Sequence, residues 1–172
     1  MRTITFEIYK FDELSPEAQA KAILNNCNIN IEDYNWWEPI YEDANEVFLR
    51  IDKFNIEYEY IATSIKYSCK QTANKIIRNH GKDTETYKLE EGFLYKLGPL
   101  EIEYSLFKTE KSCKDLVRRR LDFYEGLKSY YLRMLQKEYD YLQSDEAVKE
   151  TLIANEYEFY SDGTPYYERK LK

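Results

Sequence analysis

Apolar and polar residues alternate at the start of the chain, with Ile4, Phe6 and Ile8 set against Thr5, Glu7 and Tyr9. A period of two marks a half-buried strand, so a strand is predicted over Thr3–Tyr9. Phe11 to Leu14 turns the chain. Ser15-Pro16 then opens a helix, because serine caps free amides and proline at the first helical position loses no hydrogen bond. That helix runs from Pro16 to about Asn25 through Ala18, Ala22 and Ile23, and ends in the Asn-rich stretch Asn25–Asn28. A second helix, Trp36 to about Leu49, places Trp37, Ile40, Tyr41, Ala44, Val47 and Phe48 on one face, with Trp36 at its edge. Glu38, Glu42, Asn45 and Glu46 fall on the other face. Alternation returns over Arg50–Ile61, where Phe54, Ile56, Tyr58 and Tyr60 are in phase and predict a second strand.

Helical spacing recurs over Ser68–Asn79, through Cys69, Ala73, Ile76 and Ile77, closed by Asn79-His80-Gly81 with Gly81 suited to the left-handed end position. A shorter helix is predicted from Asp83 to Leu97, loosened by Gly92 and stopped by Gly98-Pro99. Leu100–Phe107 reads either as a short strand or as an extended lead-in. The longest element is a helix from about Glu110 to Leu142, striped by residues such as Leu116, Leu127, Tyr131 and Leu135. At 1.5 Å per residue it spans roughly 45–50 Å, so either Gly126 bends it or part of it projects as an arm. Ser144 caps a last helix, Asp145–Ala154, and Tyr157–Tyr160, a turn at Ser161-Asp162-Gly163 and Thr164–Tyr167 make a hairpin. Strands at both ends with helices between them define an α+β class. The expected arrangement is one domain with a small, mostly antiparallel sheet (N-terminal strand, middle strand, C-terminal hairpin) and helices on one face.

Composition narrows the function classes. With 43% hydrophobic and 16% aromatic residues in 172, the chain can bury a core and does not have a disordered composition. The longest apolar runs fall far short of the roughly 20 residues that cross a bilayer, and the charged N-terminal stretch does not read as an export signal. Cys27, Cys69 and Cys113 are widely spaced, with no CxxC pair and a single histidine, His80. Reduced thiols are expected, without a disulfide framework or a zinc site. The net charge of −7 argues against binding nucleic acid directly, because phosphate neutralisation needs Lys and Arg. That charge is uneven. Ala22–Leu49 contains no Lys or Arg but carries Glu32, Asp33, Glu38, Glu42, Asp43 and Glu46, whereas Lys108–Arg120 carries Lys108, Lys111, Lys114, Arg118, Arg119 and Arg120.

Catalytic patterns are sparse. His80 sits beside a helix-ending glycine, where histidine commonly serves the helix C-terminus. There is no G-x-S-x-G elbow and no Gly-rich loop leading to a lysine. The pairs Asp12-Glu13, Glu32-Asp33 and Glu42-Asp43 are the chemistry that holds Mg²⁺, but no ordered motif links them, and a solvated acidic face explains them. Arg118-Arg119-Arg120 reads as balancing charge on a solvated helix. The positive signal is recognition: the chain has eighteen tyrosines, more than a core of this size buries with satisfied hydroxyls, and Trp36-Trp37 lies within the acidic stretch. The candidate partner-binding residues are Glu32, Asp33, Trp36, Glu38, Tyr41, Glu42, Asp43 and Glu46. No catalytic residue, metal ligand or cofactor is assigned.

Several segments also resemble their counterparts in a known group of proteins. Tyr9-Lys10-Phe11-Asp12-Glu13-Leu14-Ser15-Pro16-Glu17-Ala18, the run from Trp36 to Ala44, Phe54 to Ile56, the Asn79-His80-Gly81 helix end and Asn155 to Phe159 occur in the same order as similar segments of small bacteriophage- and prophage-encoded proteins. Lys82–Lys108 matches least. Some small acidic phage proteins of this kind resemble anti-CRISPR inhibitors of type II effector nucleases. The resemblance implies a non-enzymatic anti-defence protein in the host cytoplasm that binds a CRISPR effector nuclease, alone or with its guide RNA. Such nucleases hold nucleic acid in positively charged channels that carboxylates can occupy in place of phosphates. A regulatory or structural interaction module, such as an antitoxin or phage accessory protein, is the alternative.

Overall fold

The computed structural model of the chain describes residues 5, 7–32 and 35–167. They divide into two units, Met1–Trp36 with Lys137–Lys172, and Trp37–Gln136.

In the first unit, β1 (Tyr9–Lys10) leads through a 3-10 turn (Phe11–Glu13) into α1 (Pro16–Asn25). The Ser15 hydroxyl accepts the Ala18 amide at 3.3 Å, satisfying a helix-end donor with the proline just inside. The short helix α2 (Ile29–Glu32) follows, and α7 (Asp145–Ala154) and β4 (Glu158–Phe159) come from the far end of the chain. Phe11, Leu14, Ala18, Ala22, Val148, Leu152 and Phe159 form the core, with Phe11 edge-on to Phe159 at 6.3 Å. β1 and β4 pair antiparallel, Tyr9 opposite Phe159. Thr3, Ile4 and Phe6 of the expected first strand lie outside the described residues. The C-terminal hairpin turns at Gly163, whose φ is +80°; a Cβ there would sit 2.1 Å from the Ala18 carbonyl oxygen. Only glycine fits against that backbone. Asn30 ties α2 down, donating to the Leu142 carbonyl at 2.9 Å and accepting from Thr151 at 2.7 Å.

The second unit begins with α3 (Glu38–Glu46), which packs on a hairpin of β2 (Leu49–Asn55) and β3 (Tyr60–Ile65). The pair is antiparallel, with Leu49 opposite Ile65 and a bulge between Ile51 and Lys53. The expected single strand over Arg50–Ile61 is thus two strands and a turn. Asn55 makes the turn without glycine or proline, its side-chain oxygen accepting the Tyr58 amide at 2.9 Å. Next come α4 (Cys69–Asn79), α5 (Glu85–Phe107) and α6 (Glu110–Leu142), of which residues 137–142 belong to the first unit. Ala73, Ile76, Phe93, Leu97, Phe123, Leu127, Tyr131 and Leu135 are buried, with Ile40, Ala44, Val47 and Leu49 from α3 and β2.

The largest departure from expectation is α5. It does not stop at Gly98-Pro99 but continues helically through Leu100–Phe107, and no strand forms there. A proline in a helix frees the carbonyl four residues earlier, here that of Tyr95. Tyr95 is 82% exposed, which puts this turn on the open side of the helix, where solvent can replace the lost bond. α5 and α6 form an antiparallel helical hairpin joined at Lys108-Thr109, with Lys108 left-handed at φ 45°. Its register is marked by the Glu85–Arg133 ion pair, by Phe93 stacked on Phe123 at 4.2 Å and by Glu101 3.8 Å from Arg120. Gly126 serves this packing: a Cβ there would approach Leu89 Cδ1 to 2.8 Å.

Candidate protein interface

The face of α3 turned away from the hairpin is the centre of the candidate site. Ile40 and Ala44 point inward and are buried, which leaves Glu38, Glu42 and Glu46 exposed in a line one helical turn apart. Among the described residues none of the three forms an ion pair. Like charges four apart repel by a few tenths of a kcal/mol per pair. Glu46 also sits in the last turn, where no basic residue is present and the helix dipole disfavours a carboxylate. Glu38, in the first turn, is favoured by the dipole, but mutual repulsion and the position of Glu46 oppose the line as a whole, so the fold does not depend on it.

Beside the carboxylates lies a half-exposed aromatic cluster. Trp37 and Tyr41 both pack edge-on to Phe54 of β2, with ring centroids at 6.1 and 6.2 Å. Burial, followed by the charge of Asp52, raises the Tyr41 hydroxyl above its ordinary range, so it remains a hydrogen-bond donor. Past the C-terminal end of α3 a groove of about 590 Å³ opens between Asn45, Phe48, Arg50, Ile65, Lys66 and Tyr67. Phe48 takes the left-handed conformation (φ 68°) usually given to glycine at a helix end, and its ring lies 4.4 Å from that of Tyr67.

Asp43 is held differently from its neighbours. Its Oδ2 accepts the hydroxyl of fully buried Tyr131 at 2.8 Å, and its Oδ1 is 3.7 Å from His80 Nε2. His80 Nδ1 is 2.7 Å from Thr86 Oγ1, so both imidazole nitrogens face protein partners. His80 is also the residue that closes α4, its amide donating to the Ile76 carbonyl at 2.8 Å. Deeper in the same unit, Glu90 has no exposed surface, and among the described residues neither carboxylate oxygen has a hydrogen-bond partner. Burial pushes its carboxyl up to about 8, so it is mostly neutral at neutral pH.

The sequence-derived residues do not all fall in one unit. Glu38, Tyr41, Glu42, Asp43 and Glu46 share α3, whereas Glu32 is exposed at the end of α2 in the first unit, and Asp33 lies outside the described residues. The two tryptophans exchange their expected roles. Trp36, expected at the edge, is buried (6% exposed) against Tyr139 at 5.7 Å in the first unit. Trp37, expected in the core, is half-exposed. The helix begins only at Glu38, so helical spacing does not assign faces to either tryptophan. Trp36 therefore offers a partner little surface, and the aromatic contact beside α3 falls to Trp37 and Phe54. Alternation marks Phe54 as a strand residue, but its contact with Trp37 joins separate elements and carries no local sequence signal.

Among the described residues no helix is long and apolar enough to cross a membrane. Comparison of the chain with models of protein families, with curated protein sequences and with solved structures finds no match.

Proposed function

We propose that the chain acts by binding a basic surface of another macromolecule through α3, without catalysing a reaction. The carrying observation is the line of exposed carboxylates Glu38, Glu42 and Glu46, without ion pairs among the described residues and flanked by half-exposed Trp37, Tyr41 and Phe54. Fixed carboxylates form charge-assisted hydrogen bonds with arginine and lysine and steer encounter, while aromatic rings add contact that salt does not screen. The resemblance to anti-CRISPR proteins makes a type II effector nuclease the first partner to test, because its nucleic-acid channel is lined with positive charge. In this reading the protein occupies that surface and excludes nucleic acid.

The test is DNA cleavage by a guide-loaded type II nuclease, with the protein added before or after the target DNA, alongside direct binding at low salt. Inhibition that is strongest when the protein is added first supports the reading. Absence of binding at low salt, with and without guide RNA, removes the nuclease as partner and favours a regulatory or structural interaction module instead.

A further inference from the structure

Helix α5 carries two apolar faces, and among the described residues only one of them is covered. Thr86, Glu90, Phe93 and Leu97 are buried toward the core of the unit. Tyr95, Pro99, Ile102 and Leu106 lie on the opposite side of the helix, at steps of four, three and four residues. They are in the open: Tyr95 is 82%, Ile102 62% and Leu106 70% exposed, and Pro99 is exposed as well. Steps of four and three are the seam pattern of a helix that packs lengthwise on another helix. An ordinary surface helix keeps its outward face polar.

The charges flanking this seam indicate which helix fits. Lys96 and Glu103 lie along the same edge of the stripe, both exposed, and among the described residues neither forms an ion pair. Against an antiparallel copy of the same helix, Tyr95 meets Leu106 of the other copy and Pro99 meets its Ile102. In that register Lys96 faces Glu103 of the other copy, and by symmetry the pair forms twice. In a parallel two-fold copy this edge of one helix lies on the opposite side of the seam from the same edge of the other, so Lys96 and Glu103 would not meet. Gly98, beside the seam, has open space around it and lets the two backbones approach. We infer that the outward face of α5, Tyr95–Leu106, is a self-association surface on which a second copy of this chain docks antiparallel, with Lys96 and Glu103 setting the register. An interface with the same patch on both copies closes as a two-fold dimer. The contact is smaller than the roughly 20–30 residues a side of a stable interface, so a reversible dimer with micromolar affinity is expected.

Sedimentation equilibrium over a concentration series tests this, with circular dichroism and thermal melting to verify that each variant is folded. The parent should shift from its 20.8 kDa monomer mass toward twice that value as concentration rises. Ile102→Glu should keep the protein monomeric with its helix content unchanged, because the side chain is exposed in the monomer. Lys96→Glu alone and Glu103→Lys alone should each weaken association at least tenfold, and the two together should restore it. A parent that remains monomeric at millimolar concentration would overturn the proposal and leave the face to a different partner. A dimer insensitive to Ile102→Glu would move the interface elsewhere, and failure of the double charge exchange to restore association would overturn the antiparallel register. These outcomes are independent of whether α3 binds a nuclease.

Discussion

Tyr131 of α6, with no exposed surface, donates its hydroxyl hydrogen bond at 2.8 Å to Asp43 of α3, which is eighty-eight residues away in sequence. The bond holds the acidic helix in place from behind, and burial, followed by the Asp43 charge, raises the phenol above its ordinary range. Tyr131→Phe keeps the ring and removes the hydroxyl. It should lower stability by about 1–2 kcal/mol, below the upper range for hydrogen bonds to charged groups because Asp43 is partly solvated. Urea denaturation measures this directly, and an unchanged midpoint would mean that the bond contributes nothing.

Glu90 makes stability pH-dependent in a defined direction. Its carboxyl titrates near 4.5 when unfolded and is pushed up to about 8 in the folded protein by burial. Below the lower value it is protonated in both states, and its contribution to stability is fully present. Between the two values unfolding releases a proton, so stability falls by up to about 1.4 kcal/mol per pH unit, and above the upper value the loss is complete. Glu90→Gln cannot ionise. The stability difference between parent and variant, followed by urea denaturation from about pH 5 to about pH 9, should therefore shift in the variant's favour up to about pH 8 and then level off. A difference that stays flat across this window contradicts the assignment.

Gly163 combines a positive φ with contact against the Ala18 backbone. Gly163→Ala must both adopt a conformation that L-residues avoid and displace α1, so it should destabilise by at least about 2 kcal/mol. A thermal melt reads this out, and a variant as stable as the parent would show that the hairpin can move off α1 freely.

Local signals in the sequence located much of the architecture. Ser15-Pro16 and Ser144 mark helix starts that form as read, with Ser144 accepting the Ala147 amide, and α6 and α7 keep their predicted ends. The failures have physical causes. Gly98-Pro99 is a helix stop by propensity, but the carbonyl it frees belongs to an exposed turn, where solvent can replace the lost bond. The turn after Asn55 relies on a side-chain hydrogen bond that resembles any strand residue in sequence. The charge line of α3 was legible because helical spacing alone places Glu38, Glu42 and Glu46 together. The hold on Asp43 was not, because it depends on a tyrosine from a distant helix.

The proposed interface rests on those three carboxylates. The Glu38→Gln, Glu42→Gln, Glu46→Gln triple variant removes their mutual repulsion and should retain or slightly gain stability. Its association rate with a guide-loaded type II nuclease, measured by stopped-flow or surface plasmon resonance across a salt series, is the most direct test. The parent should associate rapidly at low salt and more slowly as salt screens charges beyond about 8–10 Å. The folded triple variant should associate at least tenfold more slowly at low salt and lose most of the salt dependence. A folded triple variant with the parent's association rate and salt dependence would contradict the account, because the acidic face of α3 would then take no part in binding.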